Sequence, residues 1–328
     1  MDTLKILKQN KFDLSLLFCL KLISCIVIYY VLIRFFNESL LNYPDLGVYS
    51  VCDQRISNVL YSKILCFFDL NHDRGMYNYS LITLAICINF FISSGYFILL
   101  KDNLLRKGQI FFIVFLGLHP FMAIYYPKFY TDLFGCLGVF LIFVYIYKIY
   151  KVDNFFLISS LILINLRSAL IPSFIIFAVI NIFKNLFHNR KVLVKGILLL
   201  IIIVSSFLIY RDFSQSFVSA NNFYHNKLLN PLFLLGFREA AANLGIDYLF
   251  GQMYLYGTIQ LSASVVLIIF HAIGIVGYVL FSIKRNINLL IPLTYIAVPL
   301  VAISHLRYLL PIIPLIIFGF IWIFYKQK

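Results

Sequence analysis

The chain has 328 residues, of which 62% are hydrophobic and 12% charged, and it carries a formal net charge of +14. So few charges cannot clothe a water-soluble surface of this size, so the solvent is a bilayer. The positive balance is then a topology signal and gives no reason to expect a nucleic-acid partner.

Runs of apolar residues long enough to cross about 30 Å of hydrocarbon predict about ten transmembrane helices. They span roughly 12–34, 79–100, 110–126, 131–148, 155–166, 168–183, 195–210, 257–283, 288–303 and 308–325. Arg167 interrupts what would otherwise be one longer hairpin across 155–183. The reading is an all-α polytopic membrane protein, a single integral membrane domain over 1–328, with larger external loops at about 35–78 and 211–256. If the chain starts in the cytoplasm and each run crosses once, one side collects sixteen basic residues against four acids, and the other ten against nine. That asymmetry puts both termini in the cytoplasm. The first run is long and no small-residue cleavage site follows it, so no removable leader is expected.

The six cysteines (Cys19, Cys25, Cys52, Cys66, Cys87 and Cys136) show no CxxC or Cys/His metal spacing. Cys52 and Cys66 share an external loop, which leaves a disulfide open. The richness in Ile, Phe, Tyr, Asn and Lys suggests an AT-rich bacterial gene. Nucleophile-elbow, phosphate-loop and HExxH patterns are absent, and with them support for a hydrolase, a nucleotide-driven pump or a zinc protease.

Polar chemistry concentrates on the external side. In the first loop, Ile56, Val59, Leu60, Ile64, Leu65 and Phe68 recur near helical spacing, predicting a helix in the interface plane. Shorter turns deliver Lys128 and Asp132, then Arg167, then His305 and Arg307. Each could snorkel to headgroups on its own, but Asp132 gains nothing from an anionic layer. Several turns bringing charge to one level therefore suggest a shared external cavity. His119, just before Pro120, reads as a buried hydrogen-bonding residue, with a proton relay as the sharper alternative. Pro292, Pro299, Pro311 and Pro314 imply broken or kinked final helices. Lys21, inside the first run, is the exception to the edge placement.

Arginines around a few carboxylates suit an anionic, lipid-linked substrate, because the guanidinium fork grips phosphate bidentately and does not titrate away. The candidate substrate-binding set is Arg55, Lys128, Arg167, Arg211, Arg238, Arg307 and Tyr308. A carboxylate or histidine near an acceptor hydroxyl would act as general base. Asp45, in YPDLGVY just after the first run, is the preferred candidate, with Asp132, Glu239 and His305 in reserve. The bland alternative for Asp45 is a turn residue after Pro44.

Four stretches carry a resemblance: PDLGVY with Asp45 and Tyr49, HPFMAIYYPKFYTDLFGCLGVFLIF, LRSALIP with Arg167, and RYLLPIIPLIIF near the carboxyl end. They resemble the polytopic, polyprenyl-sugar-using glycosyltransferases of the C superfamily, most of all the Wzy-type O-antigen and exopolysaccharide polymerases. The resemblance implies transfer of sugar or oligosaccharide repeat units from an undecaprenyl pyrophosphate carrier at the outer face of a bacterial inner membrane. Arg167, Arg238 and Arg307 would hold the pyrophosphate, and neither a metal nor another cofactor would be needed. It also implies a chain-length regulator and a flippase as partners beside the bilayer. Two departures stand out. Only Glu239 or Asp247 could supply the second acidic motif of the conventional transferases, and Asp132 stands where many exopolysaccharide polymerases have arginine. Both keep a single-sugar transferase in view. A lipid-linked sugar flippase or transporter is the rival class, against which the edge placement of charge and the lack of an internal repeat speak.

Overall fold

The computed structural model describes residues 10–36, 60–61, 64, 79–119, 122–123, 131–149, 152–186, 190–209, 257–297 and 306–327. Nine α-helices occur among them: α1 (Lys11–Phe36), α2 (Tyr79–Leu100), α3 (Arg106–Leu118), α4 (Thr131–Val144), α5 (Asn154–Leu166), α6 (Ile171–Asn185), α7 (Arg190–Ile209), α8 (Gly257–Arg285) and α9 (Ile313–Tyr325). A π-helical turn, Tyr145–Ile149, extends α4, and two 3-10 helices, Ile287–Ile296 and Leu306–Ile312, precede α9. Among the described residues the chain is thus all helical, apart from an isolated bridge between Leu104 and Lys326.

Four stretches are long and apolar enough to cross a membrane: Ile82–Asn103, Thr131–Lys148, Ser168–Asn185 and Val266–Arg285. The outward faces agree with that solvent. Phe183 is 73% exposed and Val266 66%, and Phe91, Phe155, Ile158 and Phe324 also point away from the bundle. Apolar surface on this scale would aggregate in water. The inward faces form one core in which aromatic rings from several helices meet, such as Phe112 on Phe318 and Phe156 on Phe174 and Phe177. Helix α4 is its axis, with Thr131–Cys136 buried without a break.

Helix ends follow local chemistry. Asp153 caps α5, its carboxylate accepting from the Phe156 N–H at 2.8 Å, which satisfies an amide the first turn leaves open. Helix α3 stops at His119, whose ψ of 114° is the extended geometry that a following proline imposes. The Ala123 N–H donates to the His119 carbonyl at 3.0 Å, a bond of helical i→i−4 spacing. The predicted interruption at Arg167 is real: this residue is extended (φ −148°, ψ 95°) between α5 and a short 3-10 turn, Ser168–Leu170. The α5 and α6 rings then pack back on one another through Phe156. At the carboxyl end the prolines produce 3-10 winding rather than a simple kink. Pro292 and Pro311 each lie inside a 3-10 helix and Pro314 lies in the first turn of α9. A residue without an N–H cannot complete the α-helical ladder.

One end of the bundle is tied together by polar contacts. Arg106 grips Asp13 with two 2.9 Å hydrogen bonds, and Lys101 Nζ donates to Asn10 at 2.5 Å. The Leu105 N–H donates to the Tyr325 carbonyl, and the Gln327 N–H to that of Asn103. Asn103 also donates to the Tyr147 hydroxyl at 3.1 Å, and Lys148 and Arg285 approach that tyrosine's ring at 5.5 and 6.0 Å. The start of α1, the α2–α3 turn and the ends of α4, α8 and α9 therefore share a basic end, as the charge alternation requires. Arg106 is 59% exposed, so its bidentate pair is screened by solvent. We expect Asp13→Asn to lower stability by no more than about 1 kcal/mol, measured as thermal unfolding in detergent micelles.

Candidate functional site

Two residues of the sequence-derived set meet. Asp132, in the first turn of α4, and Arg167, at the α5–α6 break, form an ion pair with a 2.7 Å Nη2–Oδ1 contact. Arg167 also donates from Nη1 to the Thr131 hydroxyl at 3.1 Å and from Nε to the Tyr295 hydroxyl at 3.2 Å. All four side chains are buried, Arg167 being only 7% exposed. The sequence placed both charges at an outer edge facing a cavity; they instead close on each other inside the bundle. A charge without water needs a partner, and the first turn of α4 is a favourable place for a carboxylate.

The local architecture explains the fit. The extended backbone at Arg167 takes its side chain off both helix axes and over α4. Tyr295 arrives from the 3-10 helix Ile287–Ile296, and its hydroxyl lies against Gly135, one turn on from Thr131. A Cβ at position 135 would sit 2.9 Å from that oxygen and 3.2 Å from Pro311. Gly135 is therefore what lets the tyrosine reach the arginine. On the same helix, Phe134 takes the edge of Tyr61, and Leu60 and Ile64 pack on the core, so part of the predicted in-plane helix face lies against α4.

Depth can be measured along the helices. Thirteen residues separate Asp132 from Tyr145 at the basic end, roughly 20 Å of α-helix. His119 lies thirteen residues from Arg106 and His271 fourteen from Arg285, so they sit at a similar depth. There the Nε2 atoms of His119 and His271 are 3.4 Å apart, with rings inclined by 27° and neither side chain exposed. Lys21, also buried, lies at a similar depth, ten residues into α1 from Lys11. The polar groups thus form one layer across α1, α3, α4, α5 and α8, inside the hydrocarbon depth and away from the basic end.

The remaining sequence-derived residues are not gathered in view. Asp45, Arg55, Lys128, Arg211, Arg238, Glu239 and His305 lie outside the described residues, as do Cys52 and Cys66. Arg307 and Tyr308 belong to the 3-10 helix Leu306–Ile312, which packs against α4. Sequence reasoning missed Thr131, Tyr295 and His271. The signal for His271 was available: it is an ionisable residue amid VVLIIFHAIGIVG, and such residues face the interior of a bundle. Tyr295 offered none, since tyrosine is common throughout this chain. No protein family, no curated protein and no solved structure matches the chain.

Proposed function

We propose that this chain is a multi-pass glycosyltransferase of the polysaccharide-polymerase type. It acts at the outer face of a bacterial inner membrane on undecaprenyl-linked saccharides, with both termini and the basic end in the cytoplasm. About ten spans and the external loops at 35–78 and 211–256 complete the arrangement. The observation that carries the reading is the Asp132–Arg167 pair. Two of the four stretches behind the resemblance to Wzy-type polymerases, separated by a helix and a turn, converge on it, roughly 20 Å along α4 from the basic end.

In the proposed reaction the acceptor sugar hydroxyl attacks the anomeric carbon of the carrier-linked chain. The carbon–oxygen bond to the pyrophosphate breaks, and the pyrophosphate leaves with the electron pair. The hydroxyl proton passes to a carboxylate or a histidine, with Asp45 preferred and Asp132, Glu239 or His305 in reserve. Arginine stabilises the charge that develops on the departing phosphate, as donors do in an oxyanion hole. Arg167 is held by its ion pair to Asp132 and by hydrogen bonds to the Thr131 and Tyr295 hydroxyls before any substrate arrives, the preorganisation such a role demands.

A second reading is favoured by a specific observation. Lys21, His119 and His271 place ionisable groups on three helices within the membrane depth, the pattern of transporters. The surface polysaccharide ladder of a strain lacking the gene separates the two. A core bearing a single repeat unit is expected of a polymerase. Loss of all repeats, or a repeat short of one sugar, would overturn the polymerase reading and point to a single-sugar transferase or a flippase.

A further inference from the structure

The basic end carries a cluster that the proposed transfer reaction does not use. The π-helical turn that extends α4 presents Tyr147 and Lys148, and α8 ends on Lys284 and Arg285. Lys148 Nζ lies 5.5 Å from the centroid of the Tyr147 ring, and the Arg285 guanidinium carbon lies 6.0 Å from it. The ring itself is held in place. Phe143 stacks on it at 5.4 Å, and its hydroxyl accepts from Asn103 Nδ2 at 3.1 Å. An aromatic face attracts cations without neutralising them. Basic residues in the last turn of a helix offset its dipole, which accounts for Lys284 and Arg285 on α8. It does not account for Lys148 of α4 converging with Arg285 on one ring.

Among the described residues no carboxylate balances this charge. Lys148, Lys284 and Arg285 are exposed and form no ion pair there. Two acids of the same end are engaged elsewhere. Asp153 accepts from the Tyr145 hydroxyl at 2.6 Å and from the Phe156 N–H at 2.8 Å, and Asp13 is gripped by Arg106. Asp102 lies in the α2–α3 turn beside Lys101. The cations also stand at the end of an apolar stripe. Val276, Leu280 and Ile283 of α8 are each at least half exposed and share one helical face, and Lys284 lies one turn beyond Leu280. A hydrocarbon chain laid along that face ends at the charge. A phosphate ester with acyl chains beneath it matches both features, whereas a soluble anion matches the first alone.

We propose that Lys148, Lys284 and Arg285 form a binding site for one anionic phospholipid, its headgroup phosphate among the three cations and an acyl chain along Val276, Leu280 and Ile283. Basic pockets between membrane helices take such headgroups, each Lys or Arg contributing a factor of about five. Arginine adds a bidentate grip on the phosphate oxygens. A lipid held there ties the end of α4 to the end of α8. The site is independent of the polymerase reading and of which side of the membrane the basic end faces.

Native mass spectrometry of the full-length protein in detergent gives the test, with titration by phosphatidylglycerol or by phosphatidylcholine of the same chains. The first phosphatidylglycerol is expected to bind about tenfold more tightly than the first phosphatidylcholine. Lys284→Gln/Arg285→Gln should lose about that factor for phosphatidylglycerol and leave phosphatidylcholine unchanged. Lys148→Gln, which leaves α8 intact, should lose about fivefold and decides the matter if the double variant does not accumulate. Arg190→Gln/Lys191→Gln removes the same charge from the exposed start of α7 and should bind phosphatidylglycerol as the wild type does. Equal affinity for the two lipids would overturn the proposal. So would an equal loss in the α7 variant, which marks unspecific attraction. Displacement of bound phosphatidylglycerol by inorganic phosphate would also overturn it, since the site would then take soluble anions.

Discussion

Arg167→Ala is expected to lower stability by about 3–5 kcal/mol, because it strands the Asp132 carboxylate in a site without water. Asp132→Ala should cost a similar amount from the other side, because it takes the carboxylate away from a buried guanidinium. The double variant Asp132→Leu/Arg167→Met should regain most of the loss, since apolar groups of similar volume often replace a buried pair at no net cost. Thermal unfolding of the four proteins in one detergent closes the double-mutant cycle. Single variants that melt like the wild type would show that water reaches the pair. The cycle also bears on function. Arg167→Lys keeps the charge but loses the fork that engages Asp132, Thr131 and Tyr295 together, so it should restore part of the stability and little of the activity. A folded double variant that makes no polymer separates a chemical role for the pair from a purely structural one.

The helices were legible in the sequence because a bilayer enforces a simple rule: every buried backbone group must bond within its own segment. The second span was expected over 79–100 and is found at Tyr79–Leu100, and the break at Arg167 fell where a charge entered an apolar run. Pairings were harder to read. Nothing in composition or period links Arg167 to Tyr295, 128 residues away, or His119 to His271. Such contacts depend on which helices pack together, and a one-dimensional hydropathy pattern is silent on that. Depth was the other gap. Short turns between apolar runs suggested an edge, yet Asp132 and Arg167 turn inward because each satisfies the other and neither has to reach the headgroups. The 3-10 winding around Pro292 and Pro311 likewise needs tertiary support that no local propensity encodes.

The second large effect lies in the seam between α8 and α9. Two apolar helices in lipid have no hydrophobic drive to associate, so close van der Waals contact must hold them, and small residues allow it. Gly274 and Gly277 on α8 face Gly319 and its neighbours on α9 at such short range that a Cβ on Gly277 would overlap the Gly319 carbonyl and meet Ile323 Cδ1 at 2.9 Å. Backbone cannot rotate aside as a side chain can. Gly277→Leu should therefore force the helices apart and cost about 3 kcal/mol, the upper end of overpacking effects. The chain provides its own reporter. Its one tryptophan, Trp322 on α9, packs edge-on against Phe281, one turn beyond Gly277, at 5.7 Å, with Lys326 at 5.2 Å from its ring. Separation of the helices should increase acrylamide quenching of Trp322 while lowering the melting temperature. Val276→Leu, at the adjacent position but facing outward and 55% exposed, should change stability by less than about 0.5 kcal/mol. Equal melting of the two variants would mean that α8 and α9 do not meet at their glycines. Their contact would then have to be held by the aromatic rings nearer the basic end alone.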